Sequence, residues 1–178
     1  WVVGRFAPPR AARGSVLDVS ADGVVELDMG GDGGPRSLLI SHAPAADDAD
    51  AVARWTRADL AHGLPRLAPA QAGQWTPQQL SLERLNAFSV KKGCYPGQEI
   101  VARTHFLGQA KRGLALLQAS TPVAAGADVM AAGRAIGIIA SVQGPLALAV
   151  LPLERGDGVL EAGGVALQAL TLLGGLAR

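Results

Sequence analysis

Cysteine is almost absent from this chain: Cys94 stands alone in 178 residues. A single thiol excludes an internal disulfide and any zinc site built on several cysteines. It also fits a reducing compartment, so a cytoplasmic location is expected. Aromatic residues are scarce, with three Trp, three Phe and one Tyr. The core must therefore be assembled mainly from Ala, Val, Leu and Ile, and a base-stacking platform for nucleic acid is not available. Charged residues make up only 17% and nearly cancel, leaving a net charge of +1. That balance gives no overall pull toward nucleic acid or an anionic membrane, and neither is expected as a direct partner. Long hydrophobic runs are missing too. The longest uncharged stretch, Ala135 to Leu153, is interrupted by Gln143-Gly144-Pro145, so it reads as two strands and a turn rather than a spanning helix. No signal-peptide pattern opens the chain. Its first residue is Trp, and the expectation is that an N-terminal part lies outside this sequence.

What is present suits a compact protein: 49% of the residues are hydrophobic, and the length allows one large domain or two small ones. Residues 1–14, rich in Pro and Arg, read as irregular. Ser15 to Val19 and Val24 to Met29 flank an Asp22-Gly23 turn, a hairpin signal. Gly30-Gly31-Asp32-Gly33-Gly34-Pro35 lacks the Gly-Lys-Ser/Thr ending of a phosphate loop and reads as a plain turn, leading into a third strand at Ser37 to Ser41. Asp47 to His62 predicts a helix, with carboxylates at its start and Gly63 and Pro65 beyond its end. Trp55 in its middle suits a core role and a ligand-stacking role equally on periodicity alone. Thr76-Pro77 opens a second predicted helix toward Leu85. After Lys111-Arg112 the character changes to short apolar runs, 113–118, 129–130, 135–140, 146–151 and 165–170, separated by Gly- and Pro-containing connections. Such runs predict a small antiparallel barrel. The boundary falls between residues 1–106 and 107–178.

The only cysteine and the only tyrosine stand side by side in Lys91-Lys92-Gly93-Cys94-Tyr95-Pro96-Gly97-Gln98-Glu99, at this boundary. Residues 91–112 hold five basic groups against Glu99 alone. Glycines on both sides of Cys94-Tyr95-Pro96 permit close backbone approach to a ligand. Neighbouring cations (Lys91, Lys92, Arg103) favour a thiolate at Cys94, as nucleophile or metal ligand. Gln98 and Glu99 suit a heterocycle with alternating donors and acceptors, and Tyr95 could stack on its ring. The plain alternative is an inert cysteine in a tight turn with solvated lysines. None of His42, His62 and His105 sits in a nucleophile elbow or a protease-like context.

The run Lys92-Gly93-Cys94-Tyr95-x-Gly97-Gln98-Glu99-x-Val101-Ala102-Arg103 resembles the signature of the YgfZ folate-binding family, with Pro96 where Thr is more usual. That family is related to the aminomethyltransferase (T-protein) of the glycine cleavage system. Gly63-Leu64-Pro65, Trp75-Thr76-Pro77-Gln78, Lys111-Arg112-Gly113-Leu114 and the spacing Gly126…Gly133…Gly137…Ser141 extend the resemblance over residues 55–178. It implies an α+β fold: the C-terminal part of a folate-binding body built from ferredoxin-like halves, followed by a small antiparallel β-barrel. It implies tetrahydrofolate as ligand, and a role in assembling or maintaining iron–sulfur clusters in client enzymes, including tRNA-thiolating ones. Iron–sulfur enzymes or cluster-assembly proteins would then be partners. Cys94 maps to the family's functional thiol. Trp55 maps to a tryptophan associated with folate contact, and Lys92, Tyr95, Gln98, Glu99 and Arg103 are the further candidates for cofactor binding. Much of the family's folate pocket comes from N-terminal segments not in this sequence. An aminomethyltransferase moving a one-carbon unit to tetrahydrofolate is the alternative, and it would need an acidic catalytic group outside this sequence.

Overall fold

The computed structural model describes residues 1–91, 93–94, 96–106, 108, 110–156 and 158–177. A four-stranded sheet comes first, made of β1 (Val2–Arg5), β2 (Asp18–Val19), β3 (Val25–Asp28) and β4 (Ser37–Ile40) in the order β1-β4-β3-β2, all antiparallel. The expected hairpin and third strand are present. The irregular reading of residues 1–14 is corrected at its start, where β1 pairs with β4 from Val2↔Ile40 to Arg5↔Ser37. The Pro- and Arg-rich composition masked a four-residue edge strand, whose partner lies far along the chain. The rest of that stretch is held by Glu26 of β3, which is buried although charged. Its carboxylate accepts the backbone N–H groups of Ala11 at 2.8 Å, Arg10 at 3.0 Å and Ala12 at 3.2 Å.

The glycine-rich connection is indeed a hairpin turn between β3 and β4, closed by the Gly31↔Gly34 bridge. Its glycines serve packing. A Cβ at Gly31 or Gly33 would lie 2.8 Å or 2.7 Å from the ring of His62. That histidine is buried, with Nδ1 2.7 Å from the Ala58 carbonyl and Nε2 accepting the Gly33 N–H at 3.3 Å.

Helix α1 (Ala49–Ala61) starts where the sequence indicates. Asp48 caps it by accepting the Ala51 N–H at 2.9 Å. Its end is a Schellman turn: Gly63, at φ +73°, donates to the Leu60 carbonyl, and Leu64 donates to that of Asp59. The helix is covered on two sides. Trp55 packs against Gly4 of β1, while Leu60 enters a cluster with Leu80, Leu114, Leu116, Ala140, Leu148 and Val150.

The second predicted helix forms only its first turn. Thr76 and Gln79 cap one another, Oγ1 accepting the Gln79 N–H and Oε1 accepting the Thr76 N–H. The chain then breaks at Ser81, in the left-handed region at φ +52°, and continues as a 3-10 helix over Leu82–Leu85. The Ser81 Oγ accepts the Leu114 N–H at 2.9 Å. A bond to the barrel thus replaces continuation of the helix.

The barrel is closed and all antiparallel. Its strands are β5 (Arg112–Ala119), β6 (Asp128–Ala131), β7 (Arg134–Gln143), β8 (Leu146–Pro152), β9 (Leu160–Ala162) and β10 (Val165–Leu170), in the order β10-β5-β8-β7-β6-β9. Strand β9, short and carrying a glutamate, was not among the expected runs. In β5 and β8 both faces are apolar for a geometric reason. Leu117, Ala119, Ala147, Ala149 and Leu151 fill the interior, while Leu114, Leu116, Leu148 and Val150 point outward into the cluster around Leu60. The outer face is therefore core as well, and the first region and the barrel share it.

Two expectations follow. Gly137 of β7 lies so close to β8 that an added Cβ would collide with the Val150 carbonyl oxygen and the Leu151 side chain. Gly137→Ala should destabilise the chain by about 1–3 kcal/mol, measurable as a lower urea midpoint at unchanged m-value. The Glu26 carboxyl is held below its ordinary range, chiefly by the Ala11 and then the Arg10 backbone N–H groups. A lowered acid contributes stability that is full above the ordinary glutamate pKa of 4.5 and is lost as pH falls through the lowered value. Amide exchange at residues 10–12 should accelerate on acidification below that range, and Glu26→Gln should remove this pH dependence.

Candidate functional site

The motif straddles a turn and a helix. Cys94 is exposed and free. Gly97, at φ +82°, ends the turn, and its carbonyl accepts the N–H groups of Ile100 and Val101 as helix α2 (Gln98–Phe106) begins. The second half of the motif is thus helical, an element not expected from the sequence. Glu99 lies in the first turn of α2, and Arg103 and His105 in the last; the charges of Glu99 and Arg103 complement the helix dipole. Glu99 and Arg103 are exposed and Gln98 is half-buried. Lys92 and Tyr95 lie outside the described residues.

Only Val101 of α2 is buried. Among the described residues, polar contacts from Gln78 and Glu83 tie the helix to the preceding segment. The Gln78 amide nitrogen donates to the Val101 carbonyl at 2.9 Å, and His105 Nδ1 lies 3.1 Å from a Glu83 carboxylate oxygen. Behind this seam, Arg84 spans the C-terminal end of α1 and the chain's last segment, donating to the carbonyls of His62 and Leu173 at 2.5 Å each. Burial pulls the Arg84 guanidinium below the ordinary arginine range. A cleft of about 620 Å³ opens between α2 and β5, bordered by Gln78, Glu83, Thr104, His105 and Arg112 among others. An apolar cavity of about 410 Å³ lies elsewhere, against Leu27, Met29, Leu64, Leu82 and Leu85.

Trp55 sits apart from this seam. It is 9% exposed, and the Arg36 guanidinium lies 4.7 Å from its ring centroid. The Phe6 ring meets it edge-on at 5.7 Å, and Gly4 leaves room for it, since a Cβ there would fall 2.5 Å from the indole. The indole is packed here, not presented, and it borders neither cleft described above.

The charged group that sequence reasoning missed is Asp59. It is buried and shared by two arginines, with Arg36 Nη1 and Arg66 Nη2 each 2.8 Å from one of its oxygens. The helical periodicity places Asp59 one turn from Trp55, on the buried face, and that was the available signal. Arg36 and Arg66 carry no comparable local mark. Among the described residues, no three of His, Cys, Asp and Glu come together in a way that could hold a metal ion. No helix among them is long and apolar enough to cross a membrane.

Residues 110–171 match the family model described as CAF17, C-terminal beta-barrel domain. The matched segment contains all six barrel strands. It leaves the Cys94 motif, α1 and the four-stranded sheet outside its limits.

If the Gln78 contact holds α2 in place, Gln78→Leu should loosen that helix selectively. Losing the bond corresponds to about 0.5–1.5 kcal/mol. The expected result is roughly tenfold faster amide exchange within residues 99–106, with barrel amides unchanged.

Proposed function

We propose that this chain carries part of a tetrahydrofolate-binding factor that assembles or maintains iron–sulfur clusters in client enzymes, and through them supports tRNA modification. The observation that carries this reading is the order of two features along the chain. A motif resembling the YgfZ signature, with its cysteine, is followed directly by a barrel of the CAF17 type.

The residues fit tetrahydrofolate unevenly. On the α2 side the amide of Gln98 and the carboxylate of Glu99 can read a pterin edge, while Arg103 and Lys91 can meet a glutamate tail. Lys92 and Tyr95 join this set through the motif. Stacking of Trp55 on the pterin requires that the Arg36 guanidinium leave the indole, which makes the tryptophan the poorer part of the fit. The exposed Cys94 supplies a thiol that a folate carrier by itself does not need. In this reading it acts toward the client's cluster, which is cargo rather than a resident cofactor.

The test uses the full-length protein in cells that depend on it. Cys94→Ser should lower the activity of cluster-dependent enzymes several-fold, with tetrahydrofolate affinity by calorimetry unchanged. Undiminished cluster-enzyme activity would exclude the thiol's role. A full-length protein that does not bind tetrahydrofolate would exclude the ligand.

A further inference from the structure

One face of the four-stranded sheet is only partly packed, and the strand register identifies the open part. Val2, Ile40, Val25 and Val19 pair in a single row across β1, β4, β3 and β2, so their side chains share a face. The next row on that face is Gly4, Leu38 and Leu27, continued by Leu17 just before β2. Trp55 of α1 lies against Gly4 in this second row. Leu17 and Leu27 line the apolar cavity of about 410 Å³ together with Leu82 and Leu85. The first row stands open: Val2 is 63% exposed, Val19 58% and Ile40 43%. Val52 of α1, one turn before Trp55, is exposed as well. An apolar strip therefore runs from the cavity to the open end of the sheet.

Width and charge together define what fits this strip. Strands are spaced about 4.8 Å apart and a helix is about 10 Å across, so four strands accommodate about two helices side by side. Helix α1 is one of them, placed over β1 and β4, where Trp55 meets Gly4 and Asp59 bonds Arg36. Over the open row, β3 and β2 leave room for a second. The charge around this space is of one sign. Residues 14–53 contain eight acidic residues, one arginine and no lysine, and that arginine, Arg36, is buried against Asp59. Four of the acids lie exposed at the same end of the sheet as the open row. They are Asp22 in the β2–β3 turn, and Asp47, Asp48 and Asp50 where the chain passes from β4 into α1. A helix flanked by acids would be repelled here and one flanked by cations attracted. A second copy meeting this one face to face would set the same acidic rim against it, which disfavours a homodimer through this strip.

We propose that the strip docks a basic amphipathic helix of a partner protein. Its apolar stripe would lie on Val2, Ile40, Val25 and Val19, with its cations toward Asp22, Asp47 and Asp50. This is helix-in-groove recognition, in which apolar anchors supply affinity and flanking charge supplies orientation.

The test uses the full-length protein and model peptides of about four helical turns, with leucines spaced i, i+3, i+4 and i+7. One peptide carries lysines on its polar face and the other glutamates. The lysine peptide should bind saturably and at least about tenfold more tightly than the glutamate peptide. Slowed amide exchange should centre on residues 17–27 and 38–42. Replacing its leucines by serine should abolish binding, which separates docking from general attraction to acidic groups. Val19→Lys, at an exposed position, should weaken the lysine peptide about tenfold. Val2→Lys should do the same, and it decides the matter if the first variant does not fold. Equal binding of the lysine and glutamate peptides, retained binding of the serine peptide, protection centred elsewhere, or no effect of either variant would overturn the proposal. So would a lack of saturable binding, the result expected if another segment of the full-length protein already covers the row. A concentration-dependent dimer that protects the row without peptide would overturn it in favour of a second copy.

Discussion

The carboxylate of Asp59 joins the three parts of this chain. Arg36 approaches it from the edge of β4, and Asp59 itself belongs to α1. Arg66, its second partner, is fastened to the barrel, because its backbone N–H and carbonyl both bond the Ser141 hydroxyl at 2.8 Å. Sheet, helix and barrel therefore meet through one buried acid. Desolvating such a group is unfavourable, and two charge-assisted bonds offset that cost. Removing either arginine would leave a buried charge short of a partner, so the junction can be rebuilt only as a set. Nearby, the Gln71 amide donates to the Ala140 carbonyl and adds a neutral link across the same seam.

Arg36 has a second duty that bears on the ligand question. One of its nitrogens is fixed by Asp59 and its plane lies over Trp55, while Nε and Nη2 are buried without a partner among the described residues. Trp55 thus serves as the lid on a buried cation. The indole and the guanidinium shield each other from water, which strengthens their attraction relative to an exposed pair. A planar ligand competing for the indole would have to displace a guanidinium that is also salt-bridged. The chemistry available to an incoming molecule is greater at the α2 seam, where an exposed thiol, a carboxylate and a guanidinium follow one another within ten residues.

The barrel was legible because its strands are short, apolar and separated by turn residues, and the hairpin turns carry glycine where a positive φ is needed. Helix α1 was legible for the same local reasons, a capping aspartate and a terminal glycine. What escaped depended on distant partners. Strand β1 exists because β4 pairs with it, and the helix expected from Thr76 is cut short at Ser81, whose hydroxyl bonds Leu114, thirty-three residues later. The run of glycines at 30–34 could be assigned to a turn, yet its purpose, making room for His62, needed the tertiary structure. The candidate site was legible as a motif because rare residue types cluster there. The Asp59 junction was not, since arginine is the common cation of this chain and its two partners here are indistinguishable from the rest until folded.

The placement of Cys94 constrains how the motif can act. A thiol meant to react within a closed active site is enclosed by the groups that activate it and that hold its substrate. Cys94 instead lies exposed, shortly before a helix that buries a single side chain. On the cluster-maintenance reading proposed above, whatever meets this sulfur would bring the other half of the site with it, as a bound small molecule or as the surface of a second protein. On that reading the barrel and α1 would be the fixed base, and α2, which buries Val101 alone, the part that adjusts. The amide contact of Gln78 and the imidazole–carboxylate contact of His105 suit such adjustment, because each can be broken and remade without disturbing the barrel core.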